Sequence, residues 1–291
     1  ICAFVANAFI LIEPIQGARF HTYDLIYSLR SGDPLRVVRA LSREMIVGIY
    51  YKQEEWTALK RRTREVSELV GRAYTNGLVT LGEGMHNHLL GRFKAAYRLL
   101  RQAERVFGEH CQGITFERDF CRVFALRSLI FIGELKSATE QYEQTMSDAK
   151  NRGNLLVSAW LQTGVFATLY LANEDLESLR GNIKTILDTW AKKGWEPQHL
   201  TYQHLFALRG RIYLYLYEGR NADTWEEHER RWPSINAGQW HRHAFTRILN
   251  IELRGRCALS VAASNPTAMK EAQTCAVLLQ KEELPWGVAM G

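Results

Sequence analysis

Apolar side chains recur at steps of three and four along most of this chain, and no sustained apolar/polar alternation bounded by turn pairs is present. The first pattern lines up one stripe of a helix, whereas the second would have marked half-buried strands, so the chain reads as all-α. The clearest stripe is Phe93, Ala96, Leu100, Ala103 and Phe107, on a helix predicted from Arg92 to about Glu109. Trp56, Leu59, Thr63, Val66 and Val70 form another, on a helix predicted over residues 54–74 that ends near Tyr74-Thr75-Asn76-Gly77. Phe116, Phe120 and Phe124 stand one turn apart on a third, over residues 116–131.

Turn residues divide the remainder. Residues 1–12 are expected to end a buried helix, Glu13-Pro14-Ile-Gln-Gly17 to form a turn, and residues 19–30 to form the next helix. At Ser31-Gly32-Asp33-Pro34, Gly32 suits a helix end, Asp33 a cap and Pro34 a first turn, so a new helix should start there and run to about Tyr51. Further on, helices are predicted in pairs: 116–131 with 134–150, 155–171 with 176–191, 200–217 with 224–232, and 240–263 with 266–282. Pro233 is expected to stop its helix, and Leu284-Pro285-Trp286-Gly287 to begin a further element.

The pairing follows a repeat. Gly91-Arg-Phe93-Lys-Ala-Ala96 returns as Gly133-Glu-Leu135-Lys-Ser-Ala138, 42 residues later, and a degenerate third copy begins at Gly219, 86 residues beyond that. A fixed period of this size marks stacked helix pairs, in which each pair hides its apolar side on its neighbours. Irregular helices over 1–75 followed by repeat pairs over 76–282 then make one helical-repeat domain spanning 1–291, expected to be a fragment truncated at both ends.

Gly91 to Ala103 resembles the second half of a tetratricopeptide repeat, with Gly84 where that family's first-helix glycine stands. Thr80 occupies the family's aromatic position, and the period exceeds the standard unit of roughly 34 residues. The resemblance implies a right-handed α-solenoid of antiparallel helix pairs with a period of about 42 residues. Glu13-Pro14-Ile-Gln-Gly17, Tyr27 to Pro34, Phe124 to Leu135 and Glu229 to Pro233 are similar to the carboxy-terminal helical region of bacterial signalling proteins that carry a serine/threonine kinase domain and an ATPase module. That similarity implies a non-catalytic, cytoplasmic scaffold whose partner is a protein, a peptide or the parent's own kinase and ATPase domains. It carries no catalytic or nucleotide-binding residue onto this segment.

Composition and charge narrow the picture only slightly. Six prolines in 291 residues leave long helix-permissive runs, and a mean hydropathy of −0.24 fits a globular chain. A net charge of +6 comes from 37 basic against 31 acidic residues spread along the whole length, with Lys60-Arg61-Arg62-Thr63-Arg64 read as a solvated helix face. Five cysteines at wide, irregular spacings, without CxxC, read as reduced thiols. The apolar start, Ile1 to Ile12, is too short to span a bilayer.

Few residues carry chemistry. No phosphate-cradling glycine loop and no GxSxG nucleophile occur, so no cofactor and no catalytic residue is assigned. Glu83 with His86, and Glu196 with His199, have the Glu-x-x-His spacing that two-metal helical bundles use, but Glu196 stands beside Pro197 in a turn and no metal is assigned. His86/His88 and His241/His243 diverge by about 200° on a helix and are read as partly exposed. Cys111 after His110 is read as a half-buried thiol at a helix end. Arg98, Arg101 and Arg105 form a basic stripe whose counterpart near Glu140, Glu143 and Asp148 is acidic, so nucleic acid is not expected as a partner, nor is a membrane. Tyr202, Phe206, Tyr213, Tyr215 and Tyr217 are the aromatic candidates for a ligand groove. That groove gives an alternative function, a sensor for a small molecule or peptide, with a helical metalloenzyme as the third possibility.

Overall fold

The structure, a computed structural model, describes residues 1–9, 12–190, 194–196 and 199–291, with side chains for all of these except Ile49 and Trp190. Among the described residues every regular element is a helix and none is a strand. The chain divides into two compact units, Ile1–Ser147 and Asp148–Gly291. No single helix among the described residues is long and apolar enough to cross a membrane.

The first unit holds α1 (Cys2–Phe9), α2 (Pro14–Ser31), α3 (Pro34–Val47), α4 (Gln53–Val70), α5 (Ala73–Leu89), α6 (Phe93–His110), α7 (Thr115–Phe131) and the larger part of α8 (Leu135–Asn151). Each of α1 to α6 packs on the next or next-but-one helix, so α5 is gripped by α3 and α4 on one side and by α6 and α7 on the other. Ala96, Leu100, Ala103 and Phe107 are fully buried, as their spacing predicts.

Glycine sets how closely these helices approach. A Cβ on Gly77 would lie 2.4 Å from the Phe107 ring, and one on Gly84 2.9 Å from the Leu100 side chain. Gly77 and Gly84 are seven residues apart on α5, as are Leu100 and Phe107 on α6, and the reversed order fixes an antiparallel register. On its other side Gly82 faces the Ser42 carbonyl, which a Cβ would meet at 2.7 Å. At the corners Gly91 and Gly133 take φ 77° and 82°, which costs an L-residue with a Cβ about 1 kcal/mol or more.

In the second unit α9 (Leu155–Leu161), α10 (Ala167–Ala172), α11 (Leu176–Trp190), α12 (Tyr202–Tyr217), α13 (Asn221–Ala237), α14 (Ala244–Val261), α15 (Pro266–Gln280) and α16 (Pro285–Val288) again pack as neighbours. Trp240, Leu205, Leu208, Ile212, Ile235 and Leu253 form an apolar cluster within it.

Several boundaries differ from those the sequence suggests, each for a local reason. Glu13 to Gly17 is the first turn of α2, because Pro14 sits at a position where its missing N–H is harmless. Ser31 to Pro34 behaves as expected: Gly32 adopts φ 65° and Asp33 accepts from the amides of Leu35 and Arg36. The α4 corner is Gly71, at φ 64°, and Gly77 lies inside α5 because Phe107 needs its missing side chain. Residues 155–171 are not one helix: α9 and α10 meet at a 50° bend at Gly164, whose φ is 66° and whose Cβ would approach the Phe206 ring to 3.1 Å. α13 runs through Pro233 to Ala237. α1 buries only Ala6 and leaves Phe4 79% exposed, so it is not the buried helix its composition suggests. Trp286 packs back on Phe245, 5.0 Å between ring centroids, so 284–287 closes against α14.

Two glycine substitutions separate packing from backbone freedom. Gly77→Val should cost about 1–3 kcal/mol by overpacking against Phe107, lowering Tm by several degrees in a thermal unfolding experiment. Gly181→Ala on α11, where a Cβ would meet nothing within 4 Å, should raise stability by about 0.5–1 kcal/mol in the same measurement.

Candidate functional site

The Glu83–His86 pair is drawn into the joint between α4 and α5. Glu83 is buried and takes Lys60 Nζ at 2.9 Å and Arg64 Nε at 2.8 Å, so two of the basic residues expected on a solvated face are spent on one carboxylate. Arg61 and Arg62 stay exposed and pair with Glu65. His86 stacks on Trp56 with ring centroids 4.0 Å apart, and burial, with the charges of Arg92 and Lys60, pushes its pKa down to about 4. The carboxylate and the imidazole therefore face different partners instead of converging on one ion.

His86 and His88 are both buried, contrary to the partly exposed reading, because α5 is covered on both sides. They diverge as helix geometry requires: His86 reaches α4, while His88 Nδ1 lies 2.8 Å from Ser128 Oγ on α7, edge-on to Phe124. His241 and His243 are half-buried, and burial pushes each down to about 4. Glu196 and His199 are an exposed pair at 3.3 Å, and Pro197 and Gln198 between them lie outside the described residues. Among the described residues no group of three or more His, Cys, Asp or Glu side chains is placed to hold a metal ion.

The denser constellation lies in the second unit, where Leu208-Arg209-Gly210-Arg211 on α12 recurs as Leu253-Arg254-Gly255-Arg256 on α14, 45 residues later. Residues two apart on a helix point to opposite sides, so each tetrapeptide sends one arginine inward and one outward. The side chains of Arg209 and Arg254 are 6% and 7% exposed, those of Arg211 and Arg256 24% and 60%. At the glycine between them the two differ: a Cβ on Gly255 would crowd Cys275 at 3.3 Å, whereas one on Gly210 would make only ordinary contact with Ile183 at 3.5 Å.

The inward arginines hold separate helices together. Arg209 donates to Tyr213 Oη at 2.8 Å, to Glu252 Oε2 at 3.1 Å and to the Leu249 carbonyl. Glu252 also accepts from Arg256, so one buried carboxylate joins the two tetrapeptides. Arg254 pairs with Glu229 on α13 at 2.6 Å and with Glu271 on α15, while its guanidinium lies over Trp232 at 4.5 Å and Trp225 at 5.5 Å. At the edge Glu227 takes Arg211 at 2.9 Å and also Arg230 and Arg231. His228, 1% exposed, is pushed down to about 3 by burial and by the charges of Arg254 and Arg209, which keeps the interior imidazole neutral.

The apolar stripes and glycine corners do not point to this network; its signal in the sequence is the pair of identical tetrapeptides. The stripe Arg98, Arg101 and Arg105 is less basic than its sequence, since Arg101 pairs with Glu104, which also takes Arg122 at 2.7 Å. Of the α12 aromatics, Tyr202 packs on Trp240 and Phe206, Tyr213 serves Arg209, Tyr215 lies under Arg220, and Tyr217 is 51% exposed. Cys111 is half-buried at the end of α6, and burial raises its pKa. No protein-family model matches the chain, and no curated protein matches it.

Removing one member of a buried ion pair leaves the other uncompensated, so Arg209→Met should lower the unfolding free energy by about 3–5 kcal/mol in urea titration. Stability should also fall with acid. His86, His228, His241 and His243 have folded pKa values below their ordinary 6.5, so below 6.5 the unfolded chain binds more protons than the folded one. Stability is full above about pH 6.5 and declines toward pH 4, by up to about 1.4 kcal/mol per pH unit for each such histidine. Unfolding titrations at pH 7.5, 5.5 and 4.5 (chosen to bracket about 6.5) read this slope.

Proposed function

We propose that the chain is a non-catalytic helical-repeat scaffold, the regulatory region of a bacterial serine/threonine kinase/ATPase signalling protein, which holds a protein partner or the parent's own nucleotide-binding domains. Its helix pairs follow a right-handed α-solenoid with a period of about 42 residues, as the tetratricopeptide resemblance implies. One observation carries the reading. The inward arginines and glutamates of α12 to α15 are spent on one another, so the outward ones are held in place before any partner arrives. Arg230 and Arg256, with side chains 59% and 60% exposed, stand at the rim of that network and are each anchored on a carboxylate. Arginine fixed in this way loses little entropy on binding, and arginine is enriched in protein interfaces for its planar, multidentate donors.

The full reading frame should therefore place a kinase or P-loop domain upstream. By isothermal titration calorimetry the chain should bind that domain, and the double change Arg230→Gln with Arg256→Gln should weaken binding about fivefold or more while leaving the folded helix content intact. A frame lacking both domains, or equal affinity for the double variant, would defeat the proposal.

A further inference from the structure

Among the described ion pairs of α12 to α15, the interior group balances and the edge group does not. Inside, Arg209, Arg254 and Arg256 face Glu252, Glu229 and Glu271, three cations against three anions. At the edge Glu227 meets three guanidinium groups, Arg211 at 2.9 Å, Arg231 at 3.6 Å and Arg230, so two positive charges are left over. The neighbouring Glu226 is exposed and takes part in none of these pairs. Glu227, Arg230 and Arg231 share one side of α13 because they stand at steps of three and four, and Arg211 reaches them from α12. A carboxylate has about four acceptor positions and each guanidinium five donors, so most of these N–H groups are left to water or to a further acceptor. The buried Nε of Arg231 has no hydrogen-bond partner among the described residues, and its guanidinium is held over the Trp195 ring at 4.3 Å. Burial lowers the Arg231 pKa; Glu227 opposes this, and the charges of Arg230 and Arg211 add to it. Side-chain exposures of 24% for Arg211, 21% for Arg231 and 59% for Arg230 leave the group recessed but open to solvent.

The size of the excess selects the ligand. A carboxylate or a phosphodiester carries one negative charge and would leave one cation unmatched. A phosphate monoester carries about −1.5 to −2 at neutral pH and three strong acceptor oxygens, and planar guanidinium forks engage such oxygens two at a time. A nucleic-acid strand presents singly charged diesters and is held by a succession of phosphate contacts, not by one isolated trio. We propose that Arg211, Arg230 and Arg231 form a site for the phosphoryl group of a phosphoserine or phosphothreonine on the protein partner. The site rests on the reading of this rim as a docking surface, in which the parent's serine/threonine kinase would make such a group. Glu227 holds the three guanidinium groups together while the site is empty, and the phosphate completes their neutralisation when it arrives.

Nuclear magnetic resonance of the arginine Nε–H groups of the full chain tests this. The probes are three short Gly/Ala peptides carrying phosphoserine, glutamate or serine at the centre, each added to about 5 mM, a range that reads dissociation constants near 1 mM. The phosphoserine peptide should shift the Arg211, Arg230 and Arg231 signals and bind about tenfold or more tighter than the other two. Arg211→Gln with Arg230→Gln should weaken it about tenfold, whereas Arg256→Gln, which lies on Glu252, should change it by less than about twofold. Glu227→Gln removes the competing anion and should tighten binding about threefold, with inorganic phosphate raising its Tm more than that of the wild type. A purely structural Glu227 would give neither effect, and that result overturns the proposal. So do equal affinities for the phosphoserine and glutamate peptides, and an unshifted Arg211, Arg230 and Arg231. Inorganic phosphate that binds as tightly as the phosphoserine peptide would assign the site to a free anion instead, and displacement by a single-stranded oligonucleotide would assign it to nucleic acid. Loss of the phosphoserine preference while the upstream domain still binds sinks this inference alone, whereas a phosphoserine preference without binding of that domain sinks the docking reading.

Discussion

The close approach of α5 to its neighbours is the constraint on which the first unit depends. Three glycines on that helix remove the side chains that would hold α3 and α6 away, and large residues fill the space: Phe107 against Gly77, Leu100 against Gly84, and Met45 beside Gly82. Interiors packed at crystal-like density cannot absorb an added methyl at 2.4 to 2.9 Å without moving a helix. Glycine inside a helix costs about 1 kcal/mol relative to alanine, so these positions give up intrinsic helix stability for contact. A milder case occurs in the second unit at Gly255, where a Cβ would meet Cys275 at 3.3 Å and Arg254 and Arg256 stand on either side in the chain.

Burying those arginines has a consequence for specificity. An apolar interior would stabilise α12 to α15 as well or better, because moving ions out of water costs several kcal/mol for each group. What the ion pairs add is a register. Arg209 finds its carboxylate at Glu252, and Arg254 finds two, at Glu229 and Glu271, so a slip of either helix by one turn would strand charges in an apolar interior. Trp225 and Trp232 complete the arrangement by covering the Arg254 guanidinium with their ring faces. The neutral state of His228 belongs to the same economy of charge, since a further cation there would lack a counterion.

Stripes and caps were the legible part. Ala96, Leu100, Ala103 and Phe107 are buried because three- and four-residue spacing places them together, and Asp33 caps α3 because an aspartate before a proline has two amides within reach. Gly71 and Gly77 show where such reasoning stops. Both interrupt a helix-like pattern, yet one is a left-handed corner and the other sits mid-helix, and only the position of Phe107 distinguishes them. Likewise, the inward turn of His86 and His88 follows from α5 being covered on two sides, which no spacing within α5 reveals.

By itself, then, the amino-acid sequence determined what depends on residues within a turn or two of one another: helix as the sole regular element among the described residues, the apolar stripes, the capped corners and the pairing of successive helices. The tertiary structure decided what depends on residues far apart. Glu83 is neutralised by residues 23 and 19 positions earlier, Arg209 by one 43 positions later, and His21 and Asp24 of α2 find their partners in Glu44 and Arg43 on α3. The reason is physical: periodicity assigns residues to a common face, but which face is covered is set by the partners that other segments bring to it.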